Sequence, residues 1–204
     1  PFKKNYTLCV SSQIGCAMNC SFCHTATQGL KGHLTHEQII TQYMLALSRK
    51  NDSRPITNIV FMGQGEPLHN FENLKMAIDV LSDPNGISIS RQKITVSTSG
   101  YLPGIERFNE LNGVNFALSL HSTNESIRSE LIPINKKYPL KKIDPVIQNI
   151  KLKEKQFIEY EYLLIQDLND SENDAKNLAS FIKGKKAILN IIPYNEFVGS
   201  PYKR

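Results

Sequence analysis

Three cysteines stand at the spacing Cys16-Ala-Met-Asn-Cys20-Ser-Phe-Cys23, and the fourth cysteine of the chain, Cys9, lies just upstream. No cysteine follows Cys23 in the 204 residues. A disulfide framework spreads its cysteines to tie distant segments together, so this clustering points to metal or redox chemistry instead. Three thiolates at these spacings can hold three corners of an iron–sulfur cube and leave one iron open for an outside ligand. The competing reading is a four-cysteine zinc site that recruits Cys9. Zinc ribbons, however, normally bring two cysteine pairs from separate turns, and no second pair is present.

Four further polar sequences could serve the same site: Gly63-Gln64-Gly65-Glu66-Pro67, Ser97-Thr98-Ser99-Gly100, Ser119-Leu120-His121 and Pro193-Tyr194-Asn195. Singly, each has an ordinary structural explanation. The glycines permit a tight turn, the serines satisfy local backbone groups, and His121 is a hydrogen-bonded core histidine. Their position along the chain changes the weighing, because each follows an apolar, β-branched segment.

Those segments are Thr7 to Ser11, Ile56 to Met62, Lys93 to Ser97, Asn115 to Leu120, Phe157 to Leu164 and Ala187 to Pro193. Helical patterns separate them. After Thr35, an N-cap with Gln38 three residues on, apolar side chains recur at Ile40, Tyr43, Met44 and Leu47. Leu74, Ala77, Ile78 and Leu81 repeat that spacing, Pro103 opens a short helix, Leu140, Ile143, Ile147 and Ile150 mark another, and Ser171 with Asp174 caps the last. Regular strand–helix alternation predicts a parallel sheet with right-handed crossovers. Six units are too few for a closed eight-unit barrel of about 250 residues, so the expected fold is α/β, an open partial (β/α)6 barrel. No linker or repeat interrupts residues 1–204, which read as one domain. In a parallel barrel the polar sequences then converge on the carboxyl ends of the strands, where ligands bind.

Composition narrows the setting. With 40% hydrophobic residues the chain can bury one sizeable core. It has no apolar run of membrane-spanning length and no signal-peptide pattern, so a soluble, cytoplasmic protein without a membrane partner is expected. The net charge of +5 is carried partly by Lys136/Lys137, Lys141/Lys142 and Lys185/Lys186. Such a surface suits a polyanion such as RNA, or is only the solvated face of amphipathic helices.

The cysteine spacing, with the aromatic Phe22 before Cys23, resembles the signature of the radical S-adenosylmethionine (SAM) superfamily. Add Cys9-Val-Ser-Ser-Gln-Ile-Gly-Cys16, the Gly-Glu-Pro loop, Ser-Thr-Ser-Gly, Ser-Leu-His, Pro133-Ile134-Asn135-Lys136-Lys137 and Asn190-Ile191-Ile192-Pro193-Tyr194-Asn195. Together they resemble the RlmN-type bacterial adenine-C2 methyltransferases of 23S rRNA and tRNA, over nearly the whole chain.

The resemblance implies a [4Fe-4S] cluster on Cys16, Cys20 and Cys23, and SAM held by Gly65, Glu66, Ser97, Ser119, Leu120, His121 and Asn195. Glu66 would lie near the SAM amino group and Asn195 near its adenosine end. Cys9 would help release a covalent enzyme–RNA intermediate; its plainer reading is a small buried hydrophobe on the first strand. The partners implied are 23S rRNA and tRNA, with a flavodoxin or ferredoxin as electron donor, and the chain is expected to be a monomer. By the same resemblance, 1–204 is a radical SAM core lacking an N-terminal accessory domain, an upstream glutamate base and a C-terminal methyl-carrying cysteine. The Gly-Glu-Pro loop favours C2 over C8 chemistry. Two alternatives stay open: a radical SAM activase acting on a partner protein, and a non-catalytic iron–sulfur or zinc module that binds RNA through its lysines.

Overall fold

The β-branched runs form six parallel strands, so each connection must return across the sheet, and helices fill those returns. The structure, a computed structural model, describes residues 5–204. In chain order come β1 (Tyr6–Cys9), the short strands β2 (Gln13–Ile14) and β3 (Gly32–His33), α1 (His36–Ser48), β4 (Ile56–Phe61), α2 (Phe71–Ser82), β5 (Ile94–Thr98), α3 (Leu102–Glu106), β6 (Asn115–Ser119), α4 (Glu125–Leu131), α5 (Leu140–Gln148), β7 (Ile158–Leu164), α6 (Glu172–Ile182) and β8 (Ala187–Pro193). The main sheet runs β1-β4-β5-β6-β7-β8, parallel throughout. This is the expected partial (β/α)6 barrel.

Period-two alternation sorts the side chains. On the middle strands, Val96, Phe116, Leu118 and Tyr160 are buried in the main hydrophobic core, which also takes in Leu74, Ala77, Ile78 and Leu81 of α2 and Leu140, Ile143 and Ile147 of α5. The odd-numbered positions Ser97, Ser119, Glu161 and Leu163 face the opposite way, into the hollow of the half-barrel. Register assists, because Ser119 lies directly opposite Glu161. Thr35–Gln38 and Ser171–Asp174 both form the capping boxes read from sequence.

Two expectations need correction. The first strand ends at Cys9 rather than Ser11, because Ser12 and Gln13 turn their N–H groups to the Gln64 carbonyl. The buried face of α1 holds Ile39 and Tyr43, whereas Met44 and Leu47 are exposed. That helix is apolar almost all round from Ile39 to Leu47, so two stripes fit its period and docking decides between them. The antiparallel ribbon β2–β3 was invisible, since strands of two residues have no periodicity to read. Among the described residues, no helix is long and apolar enough to cross a membrane.

Candidate active site

The strand ends open into a cleft of about 590 Å³. Its wall includes Cys16, Cys20 and Cys23 together with Gly65, Glu66, Ser97, Ser119, His121 and Asn195. Two expected contacts lie outside it. Leu120 sends its side chain into the core, and its backbone serves the site by donating to the Glu161 carbonyl (2.9 Å) and accepting from Arg128 Nε (3.1 Å). Cys9 is solvent-exposed on the edge strand β1, which corrects its reading as a buried hydrophobe; partial desolvation raises its thiol pKa against a backbone hydrogen bond from Met62, itself a cleft residue.

The cysteine loop is sewn to the Gly-Gln-Gly-Glu loop mainly through Gln13. Its Oε1 accepts from the Glu66 N–H (2.8 Å), and its Nε2 meets His33 Nδ1 at 3.0 Å and His69 Nδ1 at 3.3 Å. Gly65 has φ of 99°, and a Cβ there would fall 2.5 Å from Gln13 Cβ, so only glycine lets the two loops close. At Gly15, with φ of 74°, a Cβ would sit 1.7 Å from the Gly29 carbonyl oxygen, where the cysteine loop folds back on itself.

Glu66 is buried, and its carboxylate accepts from Ser99 N and Ser99 Oγ (both 2.8 Å) and from Leu68 N (3.2 Å). Burial raises its pKa against those donors. His121 sits at φ of 55°, an uncommon conformation for a non-glycine residue. Its Nδ1 accepts from Leu163 N (3.1 Å), its carbonyl accepts from Asn169 (2.6 Å), and its ring meets Phe22 edge-on with centroids 4.7 Å apart. Burial, reinforced by the charge of Arg128, holds its pKa down at about 3. His121 is therefore a neutral ring that braces the cysteine loop, not an acid at neutral pH.

A linkage prediction follows. The unfolded chain binds a proton at His121 below about pH 6.5, whereas the folded chain does not until about pH 3. Stability should therefore fall with pH across that window, by up to about 1.4 kcal/mol per pH unit. The raised Glu66 works in the opposite direction, so the contribution is isolated by comparison. Urea melts of wild type and His121→Asn between pH 4 and 7 should show the shallower pH dependence in the variant; parallel curves would contradict the assignment.

Residues 10–179 match the Radical SAM superfamily. The chain belongs to that superfamily. Among its relatives, the dual-specificity RNA methyltransferase RlmN of Sinorhizobium fredii is 46% identical over 97% of this chain. The chain covers 52% of that relative and spans about half the length of the curated relatives it matches. The crystal structure of a radical SAM methyltransferase from Sphaerobacter thermophilus superposes on the whole chain with a TM-score of 0.92 and 34% identity, over 60% of its own length. SuiB of Streptococcus suis, in its S-adenosylmethionine-bound crystal structure, gives 0.69 at 16% identity over 98% of this chain and 43% of its own, a likeness of fold.

The cysteines of this radical SAM protein fit a cluster better than a single ion. Burial, and then mutual repulsion with Cys16 and Cys23, strongly raises the Cys20 pKa, so the three thiols lie close enough to oppose one another's ionisation. A cube bound at separate corners needs its thiolates spread around it, and Cys9 stands outside the cleft that a four-cysteine zinc site would have to share. Cys9→Ser should accordingly take up as much iron as wild type on anaerobic reconstitution. A fall measured by elemental analysis would make Cys9 a ligand.

Among the wall residues that the sequence did not single out is Glu161, buried on β7, where its Oε2 accepts from Ser97 Oγ (2.7 Å) and Ser119 Oγ (3.4 Å). It joins two expected SAM contacts into one polar cluster. The lysines divide: Lys185 is committed to Asp144 (2.8 Å) and the Phe181 ring, while Lys136, Lys137, Lys141 and Lys142 are exposed.

Proposed function

We propose that this chain is the SAM-cleaving core of a methyltransferase that modifies C2 of adenine in 23S rRNA and tRNA. The observation that carries the reading is the single cleft that Cys16, Cys20 and Cys23 line together with Gly65, Glu66, Ser97, Ser119, His121 and Asn195. The 46% identity to an RNA methyltransferase supports the RNA substrate. Cys16, Cys20 and Cys23 would hold a [4Fe-4S] cluster whose open iron binds SAM, and a flavodoxin or ferredoxin would deliver the electron. When bound and reduced, the cluster supplies the electron that splits SAM into methionine and a 5′-deoxyadenosyl radical.

The chain's own residues bind, orient and exclude water. The glycine turn at Gly65 lines the cleft and would offer its backbone to SAM. The hydroxyls of Ser97 and Ser119, held by Glu161, offer fixed polar contacts to the rest of the molecule, with Asn195 at the rim. Phe22 and Leu163 supply apolar wall against solvent. A radical route suits the substrate, because C2 of adenine is electron-poor and cannot attack the methyl group of SAM as a nucleophile.

The test has two arms. Reconstituted protein given SAM and dithionite should form 5′-deoxyadenosine; a loaded cluster that yields none would refute the catalytic reading and favour a binding module. Deleting the gene for this chain should remove C2-methyladenosine from 23S rRNA and tRNA digests. SAM cleavage with C2-methyladenosine unchanged in the deletion strain would favour the activase.

A further inference from the structure

Arg128 on α4 is fully buried and stands behind the cleft rather than in its wall. All its hydrogen bonds go to neutral oxygens. Its Nε donates to the Leu120 carbonyl (3.1 Å), one terminal nitrogen donates to the carbonyls of Ser99 (2.9 Å) and Ser119 (3.0 Å), and the other donates to the side-chain oxygen of Asn135. Glu125 is reached only through Asn135, whose amide donates to its carboxylate at 2.7 Å. A buried guanidinium among carbonyls is costly unless negative charge lies within reach.

The same helix grips the cysteine loop. Ser21 donates its N–H to the Leu131 carbonyl (3.0 Å) and its hydroxyl to the Glu130 carbonyl (3.1 Å), and Cys20 and Phe22 pack against Leu131 and Ile132. One short helix therefore holds the ends of β5 and β6 from one side and the middle of the cysteine motif from the other.

We propose that Arg128 is a positioning residue: its fork locks the carboxyl ends of β5 and β6 to the cysteine loop through α4, and its charge is the fixed counter-charge to the anionic groups bound in front of it. The inference rests on reading the cleft as the cluster and SAM site. Three thiolates and the carboxylate of SAM bring negative charge to that site, and one-electron reduction adds more. A positive charge held in a low-dielectric interior favours the reduced state. Burial draws the pKa of Arg128 down to about 10 against the nearby charge of Glu125, which leaves it protonated at neutral pH.

The test uses anaerobically reconstituted wild type, Arg128→Lys and Arg128→Gln, with iron content, circular dichroism, cluster midpoint potential by EPR-monitored titration, and SAM affinity by equilibrium dialysis. Arg128→Gln should load iron, shift the midpoint to more negative potential and weaken SAM about tenfold as the ends of β5 and β6 lose their brace. Arg128→Lys keeps the charge but cannot reach three carbonyls at once, so the midpoint should return towards wild type while SAM affinity stays reduced. A folded, loaded Arg128→Gln with unchanged midpoint and affinity would overturn the proposal. If that variant does not fold, Arg128→Lys decides, and unchanged SAM affinity there overturns it. Wild type that takes up no iron would instead refute the cluster reading, and this proposal with it.

Discussion

Replacing Cys20 with alanine should reduce iron uptake on anaerobic reconstitution to background while leaving the circular dichroism spectrum and the melting transition close to wild type. Cys20 is the middle cysteine of the motif, half-buried at the cleft wall where it packs against the Leu131 and Ile132 cluster. A thiol in that setting ionises unwillingly, so metal is what draws the loop's negative charge into place. Its loss removes one of three corners, and no other cysteine is positioned to replace it, since Cys9 lies outside the cleft. The structural cost is small by comparison: one sulfur leaves a satellite cluster of the core, worth about 1 kcal/mol. Iron retained at half or more of the wild-type level would show that the motif does not act as one cluster-binding unit.

Glu66→Ala should have the largest effect on the SAM-binding face. The carboxylate is the acceptor for Ser99 N, Ser99 Oγ and Leu68 N, and none of these sees solvent readily. Leaving two buried N–H groups unpaired costs about 1–3 kcal/mol each, a fall in melting temperature on the order of 10 °C for a chain of this size. SAM affinity should fall with it, because Glu66 caps the turn that shapes the Gly65 backbone. Glu66→Gln keeps one oxygen acceptor and should be milder in stability while still weakening SAM. Paired thermal melts and equilibrium dialysis separate the effects: stability lost with SAM affinity intact would make Glu66 a purely structural cap.

The fold was legible because its strands are continuous β-branched runs, buried on the helix side and bounded by glycine, proline or serine. The site was legible wherever the useful residues follow those runs. Glu161 was not, because in Ile158-Glu-Tyr-Glu-Tyr-Leu-Leu the acidic residues look like the solvent face of an alternating strand, and only the curl of the sheet turns that face inward. Arg128 was hidden in the same way. In Glu125-Ser-Ile-Arg-Ser-Glu-Leu it reads as one more charge on an exposed helix, and only the tertiary approach of Ser99, Ser119 and Leu120 shows what it holds. Leu120 was found for its motif, yet it serves through its backbone, which a residue-type reading does not distinguish.

The order of the sheet also bears on how the protein matures. Tyr6 on β1 pairs with Ile56 on β4, so the cysteine loop, its ribbon and α1 all lie inside one long closure. The entropy of that closure is spent before its contacts return anything, and parallel sheets built from such closures fold slowly. Until β1 docks, the cysteine loop is not anchored to the sheet at its N-terminal end. On the proposed function, iron insertion would therefore follow that docking. In the interval the cysteines are open to oxygen and to one another, so during synthesis the yield of intact centre depends on how fast the first strand finds its neighbour.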